Sequence, residues 1–420
     1  MPTRRDLLIG GAALGGSLLL PRSSRAAVAP EDRKFIFVYV NGGWDPTKVF
    51  MASMANSITV GRSAGDEAVT HGPFRLITNP NRPAVDVFFD RFSDRVALLD
   101  GVLIRSINHP ICRNLWMTNT PNAGRPDWPA TLGFAAADRY PVPNMIVDGY
   151  SMAGEYSAYT ALAGRKGQLQ EMVSGTATLR GEPAYAPPPG DLEALMDQFV
   201  SRRAGERAAQ VRAPLEGHLT NAYVEASTRL VGFKEATAGL DFDTGTTLLS
   251  QIPLAVQLLQ GGVARCVTLS HNSGVWDTHI DNSEQDAEFG RLFEGLTALM
   301  DVLDQVPGQH ASTLAEETVV LVFSEMGRTP YLNSTGGKDH WMYTTGMIWG
   351  AGVVGGRGYG GYDDNLNGLL VDLASGDTVS EASGGVPITP DVIGSTLMRL
   401  GGIDPVAELG EDTSLRGLLA

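Results

Sequence analysis

Cysteine is scarce. The 420 residues include two, Cys112 and Cys266, too few for a disulfide framework, and the sequence leaves open whether the pair bridges. Basic side chains are also short, 32 Lys plus Arg against 47 Asp plus Glu, for a formal net charge of -15. That balance argues against nucleic acid or an anionic lipid surface as the main partner. The apolar run 7–20 is too short and too rich in glycine for a comfortable bilayer span. No internal repeat is visible, and the Gly-rich stretch 351–361 lacks the strand before it and the helix after it that a dinucleotide fingerprint requires. What is present suffices for a large core: 43% of the residues are hydrophobic and 19% charged.

The first residues read as a targeting segment. Thr3-Arg4-Arg5-Asp6-Leu7-Leu8 is a twin-arginine pattern, followed by the apolar run and by small residues around Ala26 to Ala29. Residues 1–29 are expected to be a signal peptide, cleaved between Ala26 and Ala29. The alternative is an uncleaved amphipathic anchor, which places its charges differently. Removal would leave 28 basic and 46 acidic residues and a net charge of -18. The expectation is export by the twin-arginine translocase to the periplasm or beyond the cell, with no stable membrane anchor after cleavage. That route carries folded cargo, which suits a protein that loads a metal in the cytoplasm.

Four clusters of metal-binding side chains follow candidate strands. Thr318 to Phe323 is an uninterrupted β-branched and apolar run that ends in Ser324, Glu325 and Gly327. In open α/β sheets the ligand crevice lies beyond the carboxyl ends of the strands, so Glu325 is expected to project into it. The turn-rich stretch 333–338 then leads to Asp339-His340-Trp341, an oxygen donor, a nitrogen donor and an aromatic wall. Lys34 to Val40 reads as the first buried strand. Gly42 and Gly43 let the backbone turn sharply after it, and Asp45 can offer a carboxylate to a cation. A strand near 95–99 leads to Ser106–Arg113, where Pro110 suits a first helical turn and sets His109 at a helix N-terminus. There His109 can serve an anion or offer an imidazole to a metal. A strand over 263–269 exits through Ser270–His279, and Asp277 and His279, two apart on an extended loop, can chelate one ion. His271, at the same strand end, is a candidate for a supporting role at most. Singly, each has a plain structural reading as a turn, cap or core residue; together they are far more specific.

Periodicity and capping predict further helices over 83–92, 127–140, 191–236, 248–260, 284–306 and 389–400, and short strands over 144–147 and 346–350. Residues 51–82 read as irregular, 182–190 as a Pro-rich linker or lid edge, and 375–385 as a flexible excursion. Residues 191–236 read as one inserted helical element with a solvated charged face, and His218 within it as structural or exposed. The organisation expected is a single α/β domain over 30–420 with a helical insertion about 187–240.

On these motifs the chain resembles the alkaline phosphatase-like superfamily, and more closely an exported branch known as domain of unknown function number 1501. The resemblance spans nearly all of 30–410. It is carried by the twin-arginine start, GGWD at 42–45, WDTH at 276–279, SEMGRTP at 324–330, GKDHW at 337–341 and ITPDVIGSTLMRLGGIDP at 388–405. It implies a three-layer sandwich with a central, mostly parallel sheet, and a metal-assisted phospho- or sulfo-ester hydrolase or a phosphomutase. Asp45 resembles the carboxylate after the first strand, Asp277 and His279 the mid-chain metal pair, and His340 the final metal-binding His. Glu325 falls where an Asp-His pair ends the later strand. The nucleophile departs from the pattern: His109 stands where sulfatases carry Cys or Ser, with Arg113 four residues on, and Ser106 or Thr118 would be the substitutes. A His there can act as nucleophile or can ligate metal while water attacks.

The expectation is therefore a metal-dependent hydrolase-like protein. Asp45, His109, Asp277, His279, Glu325, Asp339 and His340 would hold one or two divalent ions. Mixed N and O donors point to Zn²⁺ or Mn²⁺, with Mg²⁺ or Ca²⁺ as alternatives. His109, Arg113 and Arg328 are the candidate catalytic residues; Arg113, Arg328 or Lys338 would clamp a small anionic ester or glycan-type substrate. The rival expectation is a non-catalytic exported binding or assembly protein that keeps the fold and its metal. A third, a modifier of cell-surface polysaccharide, rests on export alone.

Overall fold

A computed structural model describes residues 28–163, 169, 177–179, 182–185, 190–242, 244–272 and 275–420. The twin-arginine pattern lies outside these residues. The strands, in chain order, are β1 (Lys34–Val40), β2 (Glu67–His71), β3 (Phe74–Thr78), β4 (Val96–Leu103), β5 (Asn144–Ile146), β6 (Thr160–Leu162) and β7 (Ala177–Leu179). They continue with β8 (Glu182–Tyr185), β9 (Cys266–Ser270), β10 (Thr318–Ser324), β11 (Gly327–Arg328), β12 (His340–Trp341), β13 (Tyr343–Gly350) and β14 (Arg357–Gly360).

Eight of them form one sheet in the order β14-β4-β13-β10-β1-β9-β5-β6. Every pairing is parallel except those of β13, which runs antiparallel to β10 and β4. β1, β9 and β10 are buried at every position, which explains why they read as unbroken apolar runs instead of alternating ones. Alternate residues of β1 feed two separate cores. Ile36, Val38 and Val40 pack with Phe88 of the helix Ala84–Phe92, Leu258 of Leu248–Gln260 and Leu292 of Glu284–Gln305. Phe35, Phe37 and Tyr39 pack with Trp116 of His109–Thr118, Leu132 of Trp128–Phe134 and Leu397 of Pro390–Leu400. Helices on both faces of a mostly parallel sheet make a three-layer α/β fold.

Several segments differ from their sequence reading. Within 51–82, taken as irregular, β2 and β3 form an antiparallel hairpin; β2 lies largely at the surface, so no buried alternation marks it. The helical insertion breaks into Gly190–Gln210 and Pro214–Ala236. Pro214 sits in the first turn of the second helix, where its missing N–H costs nothing, so it starts a helix instead of continuing one. The helix expected over 127–140 stops at Phe134. β8 falls inside the Pro-rich 182–190 and pairs with β7, and the Gly-rich 351–361 contributes β14, a parallel neighbour of β4. Cys112 and Cys266 are buried and unbonded, and burial pushes their thiols up to about 11 and about 12, which leaves them unreactive. Among the described residues no helix is long and apolar enough to cross a membrane.

Candidate metal centre

The carboxyl ends of β1, β9 and β10 lie side by side, and the loops leaving them supply most of the candidate donors. Glu325 follows β10 and is fully buried. Its Oε1 accepts the Gly42 N–H at 2.8 Å and meets His109 Nδ1 at 2.7 Å. Gly42 has φ +127°, and a Cβ there would lie 2.7 Å from Trp276 Cβ, so only glycine lets the β1 exit pass this close to the Trp276–Asp277 loop. Asn108 caps the helix that begins at His109, accepting the Ile111 N–H at 3.2 Å with Pro110 in the first turn.

Three imidazoles are oriented in one way. His109 Nδ1 is held by Glu325, His340 Nδ1 by the Ile107 carbonyl at 2.7 Å, and His279 Nδ1 by Asp339 Oδ1 at 3.2 Å. A carbonyl oxygen only accepts, so His340 carries its proton on Nδ1, and the two carboxylates favour the same tautomer in His109 and His279. All three Nε2 atoms then turn toward Asp277. His109 Nε2 is 3.4 Å from Asp277 Oδ2, His279 Nε2 is 3.1 Å from Oδ1, and His340 Nε2 is 3.3 Å from Oδ1. One ligand atom each from His109, Asp277 and His340 lies within 4.8 Å of the others. His279 Nε2 adjoins them, 2.9 Å from His340 Nε2.

Burial disfavours the charge on Asp277, but the Arg328 guanidinium at 2.6 Å, with His340 and His109, holds its carboxyl down at about 2. The Glu325 hydrogen bond raises His109 above the ordinary imidazole value, whereas burial lowers His340. The cluster thus contains a permanent carboxylate facing imidazoles of unequal basicity.

The other expected site residues are placed elsewhere. Asp45 is fully buried, but its carboxylate does not join the cluster: it accepts Lys338 Nζ at 2.7 Å, Asn282 Nδ2 at 2.7 Å and the Thr47 hydroxyl at 2.7 Å. Lys338, a candidate anion clamp, is consumed in that pair and in a 2.8 Å bond to Thr47 Oγ1. Arg328 is wholly buried. Its guanidinium donates to the Gly43 and Lys338 carbonyls at 2.8 and 3.1 Å, to the Gly42 carbonyl and to Asp277, so it braces the strand-end loops instead of reaching toward solvent. Arg113 stacks on Tyr150, 3.3 Å from the ring centre. Thr118 lies at the far end of its helix, bonded to the Asn114 carbonyl, and Ser106 Oγ accepts the Asn108 N–H. His271 is buried away from the imidazoles, 3.4 Å from Glu288, and burial lowers it to about 4.

The donor set suits a divalent transition metal. With the protons on Nδ1, the lone pairs of His279 and His340 Nε2 face each other across 2.9 Å, an arrangement that is repulsive unless a cation or a shared proton lies between them. His109 Nε2 is buried without a hydrogen-bond partner. Imidazoles whose Nδ1–H is anchored on a carboxylate or carbonyl are the usual supporting arrangement of metal-binding His. Sequence reasoning missed three contributors: the Ile107 carbonyl, Gln285, which donates to the Trp276 carbonyl at 2.7 Å and accepts the Asp45 N–H at 2.8 Å, and Arg328 as a brace. A backbone carbonyl leaves no trace in sequence. A polar Gln285 among the apolar positions of a long helix was the one available signal.

Comparison with known proteins gives a family and, among solved structures, loose alignments. A family model described as "Protein of unknown function (DUF1501)" matches residues 32–371. No curated protein matches the chain. Among solved structures, Ps i-CgsB aligns at 9% identity and TM-score 0.40, covering 91% of this chain and 75% of that one; the same protein in complex with k-i-k-neocarrahexaose aligns at 10% and 0.38 over the same shares. The PsFucS1 sulfatase from Pseudoalteromonas sp. aligns at 13% identity and TM-score 0.34, covering 92% and 72%. Alignments this loose assign no reaction.

Proposed function

The chain belongs to the DUF1501 family, and from that premise we propose that it is an exported, metal-dependent hydrolase-like protein acting on a phosphate or sulfate ester. The observation that carries the metal is the convergence of three Nδ1-anchored imidazoles on Asp277. His109, Asp277, His279 and His340 would be the ligands. A set richer in imidazole than in carboxylate favours Zn²⁺ or Mn²⁺ over Mg²⁺ or Ca²⁺, which prefer all-oxygen cages. Such an ion, when bound, acts as a Lewis acid on an anionic ester and brings the pKa of bound water down to about 7.

The chain's own residues prepare that chemistry. Glu325 and the Ile107 carbonyl keep the protons of His109 and His340 on Nδ1, so neither ring can rotate its lone pair away from the site. Arg328 keeps Asp277 ionised and fixed. His109 stands at the start of its helix, where the helix dipole favours an anion. His109 in a ligand role leaves attack to water. The test is metal content and turnover of a broad phosphate and sulfate ester panel, before and after His340→Ala. Metal-dependent turnover lost in the variant supports the reading; a metal-free protein that the substitution leaves unchanged discards it.

One observation favours a second reading. Arg328 and Lys338 are both spent on internal contacts, which leaves the centre poorer in cations than an ester-binding site requires. A non-catalytic metal-binding protein of the same fold would bind the ion and turn over no member of the panel.

A further inference from the structure

His279 is supported differently from the other two imidazoles. His109 leans on Glu325, which is fully buried, and His340 on a main-chain carbonyl. His279 Nδ1 instead meets Asp339, whose side chain is 59% exposed. A carboxylate that exposed keeps its rotamer freedom in water and orients a ring only if something holds it in turn. Asn333 holds it.

The Asn333 amide joins both halves of that support. Its Nδ2 donates to the His279 carbonyl at 2.9 Å and to Asp339 Oδ1 at 3.2 Å. Its Oδ1 accepts the Thr335 and Gly337 N–H groups, each at 3.0 Å. Those N–H groups only donate and the His279 carbonyl only accepts, so the amide has a single sense, and that sense turns an N–H toward the Asp339 carboxylate. The rest of the loop clasps the same stretch of backbone. Thr335 Oγ1 donates to the His279 carbonyl at 2.7 Å, the Lys338 N–H to the Thr278 carbonyl at 3.0 Å, and the Asn282 N–H to the Gly336 carbonyl at 3.2 Å. A Cβ on Gly337 would fall 2.1 Å from the His279 carbonyl carbon, so the close approach requires glycine.

We propose that Asn333 is a positioning residue of the metal centre: by tying the His279 main chain to the carboxylate that orients its ring, it brings His279 Nε2 in as the fourth protein ligand. The proposal rests on the metal-binding reading of the centre. It divides that centre in two. His109, Asp277 and His340 already offer ligand atoms within 4.8 Å of one another, and the loop 333–339 adds His279 to them.

Zn²⁺ titrated into the full chain tests this, with affinity measured against a competing chelator and the imidazoles per ion counted by X-ray absorption. The wild type is expected to show three. Asn333→Asp keeps the oxygen that accepts the Thr335 and Gly337 N–H groups, so the loop stays folded, but it sets a second oxygen against the His279 carbonyl and Asp339. It should show two imidazoles and bind Zn²⁺ about 10- to 100-fold more weakly, and Asn333→Ala should do the same. In a His279→Ala background Asn333→Asp should cost no further affinity, because its effect passes through that ring. Three imidazoles and wild-type affinity in Asn333→Asp overturn the proposal and leave the metal centre standing. An equal further loss in the His279→Ala background also overturns it. A wild type that binds no Zn²⁺ overturns the metal reading and this proposal with it.

Discussion

Asp45 and Asp277 leave neighbouring strands of one sheet, and by sequence they carry the same expectation. The structure gives them different surroundings. Asp45 is sealed, its carboxylate neutralised by Lys338 and saturated by Thr47 and Asn282. Asp277 is half exposed and meets one guanidinium and three imidazole nitrogens. A buried carboxylate needs a counter-charge, and the identity of that charge decides its role. Where the chain supplies an ammonium, the carboxylate becomes structural. Where it supplies imidazole nitrogens beside a single guanidinium, the half-exposed carboxylate stays open to a further cation.

Substitutions can break this contrast. The largest effect is expected from His340→Ala: loss of the bound ion from the purified protein, read by elemental analysis, with the folded state retained because the residue is only partly buried. Lys338→Met should do the reverse. It strands a fully buried carboxylate, at a cost of about 3–5 kcal/mol in urea unfolding, while metal content stays that of the wild type. If Lys338→Met emptied the centre and left stability intact, the two carboxylates would have to exchange roles. Glu325→Gln keeps the shape but loses the charge that orients His109; metal affinity should fall by about 10- to 100-fold, measured by competition with a chelator. Arg328→Lys should weaken metal binding in the same direction, because an ammonium cannot reach Asp277 and several carbonyls at once.

The smallest effect concerns pH. Asp100, bonded to the Thr345 hydroxyl at 2.9 Å, is raised by burial to about 7. Its folded value lies above its unfolded one, so between about pH 4 and 7 the folded state holds a proton that the unfolded state has released. Its contribution to stability is therefore present at low pH and lost as pH rises through that window. Asp100→Asn should flatten the slope of urea midpoint against pH, and an unchanged slope would refute the assignment.

Much of the centre was legible because each donor follows a strand whose apolar run marks it. Glu325, Asp277 and His279 stand just past such runs, and strands that lie parallel bring their exits together. Asp45 shows the limit. Its position was readable, but its partner Lys338 reaches it from a loop far along the chain, and no local pattern announces a long-range ion pair. The same holds for Arg328, whose role depends on which carbonyls fold against it. The β2–β3 hairpin and the broken insertion escaped for a different reason: at the surface, turn chemistry and proline outweigh hydrophobic period.

The central claim is that His109, Asp277, His279 and His340 share one ion. Metal content of the protein, purified without added metal from its own host, tests this most directly. The account predicts one divalent transition ion bound per chain in the wild type and in Asp45→Asn, and none in Asp277→Ala. Equal metal in all three proteins, or loss in Asp45→Asn with retention in Asp277→Ala, would contradict it.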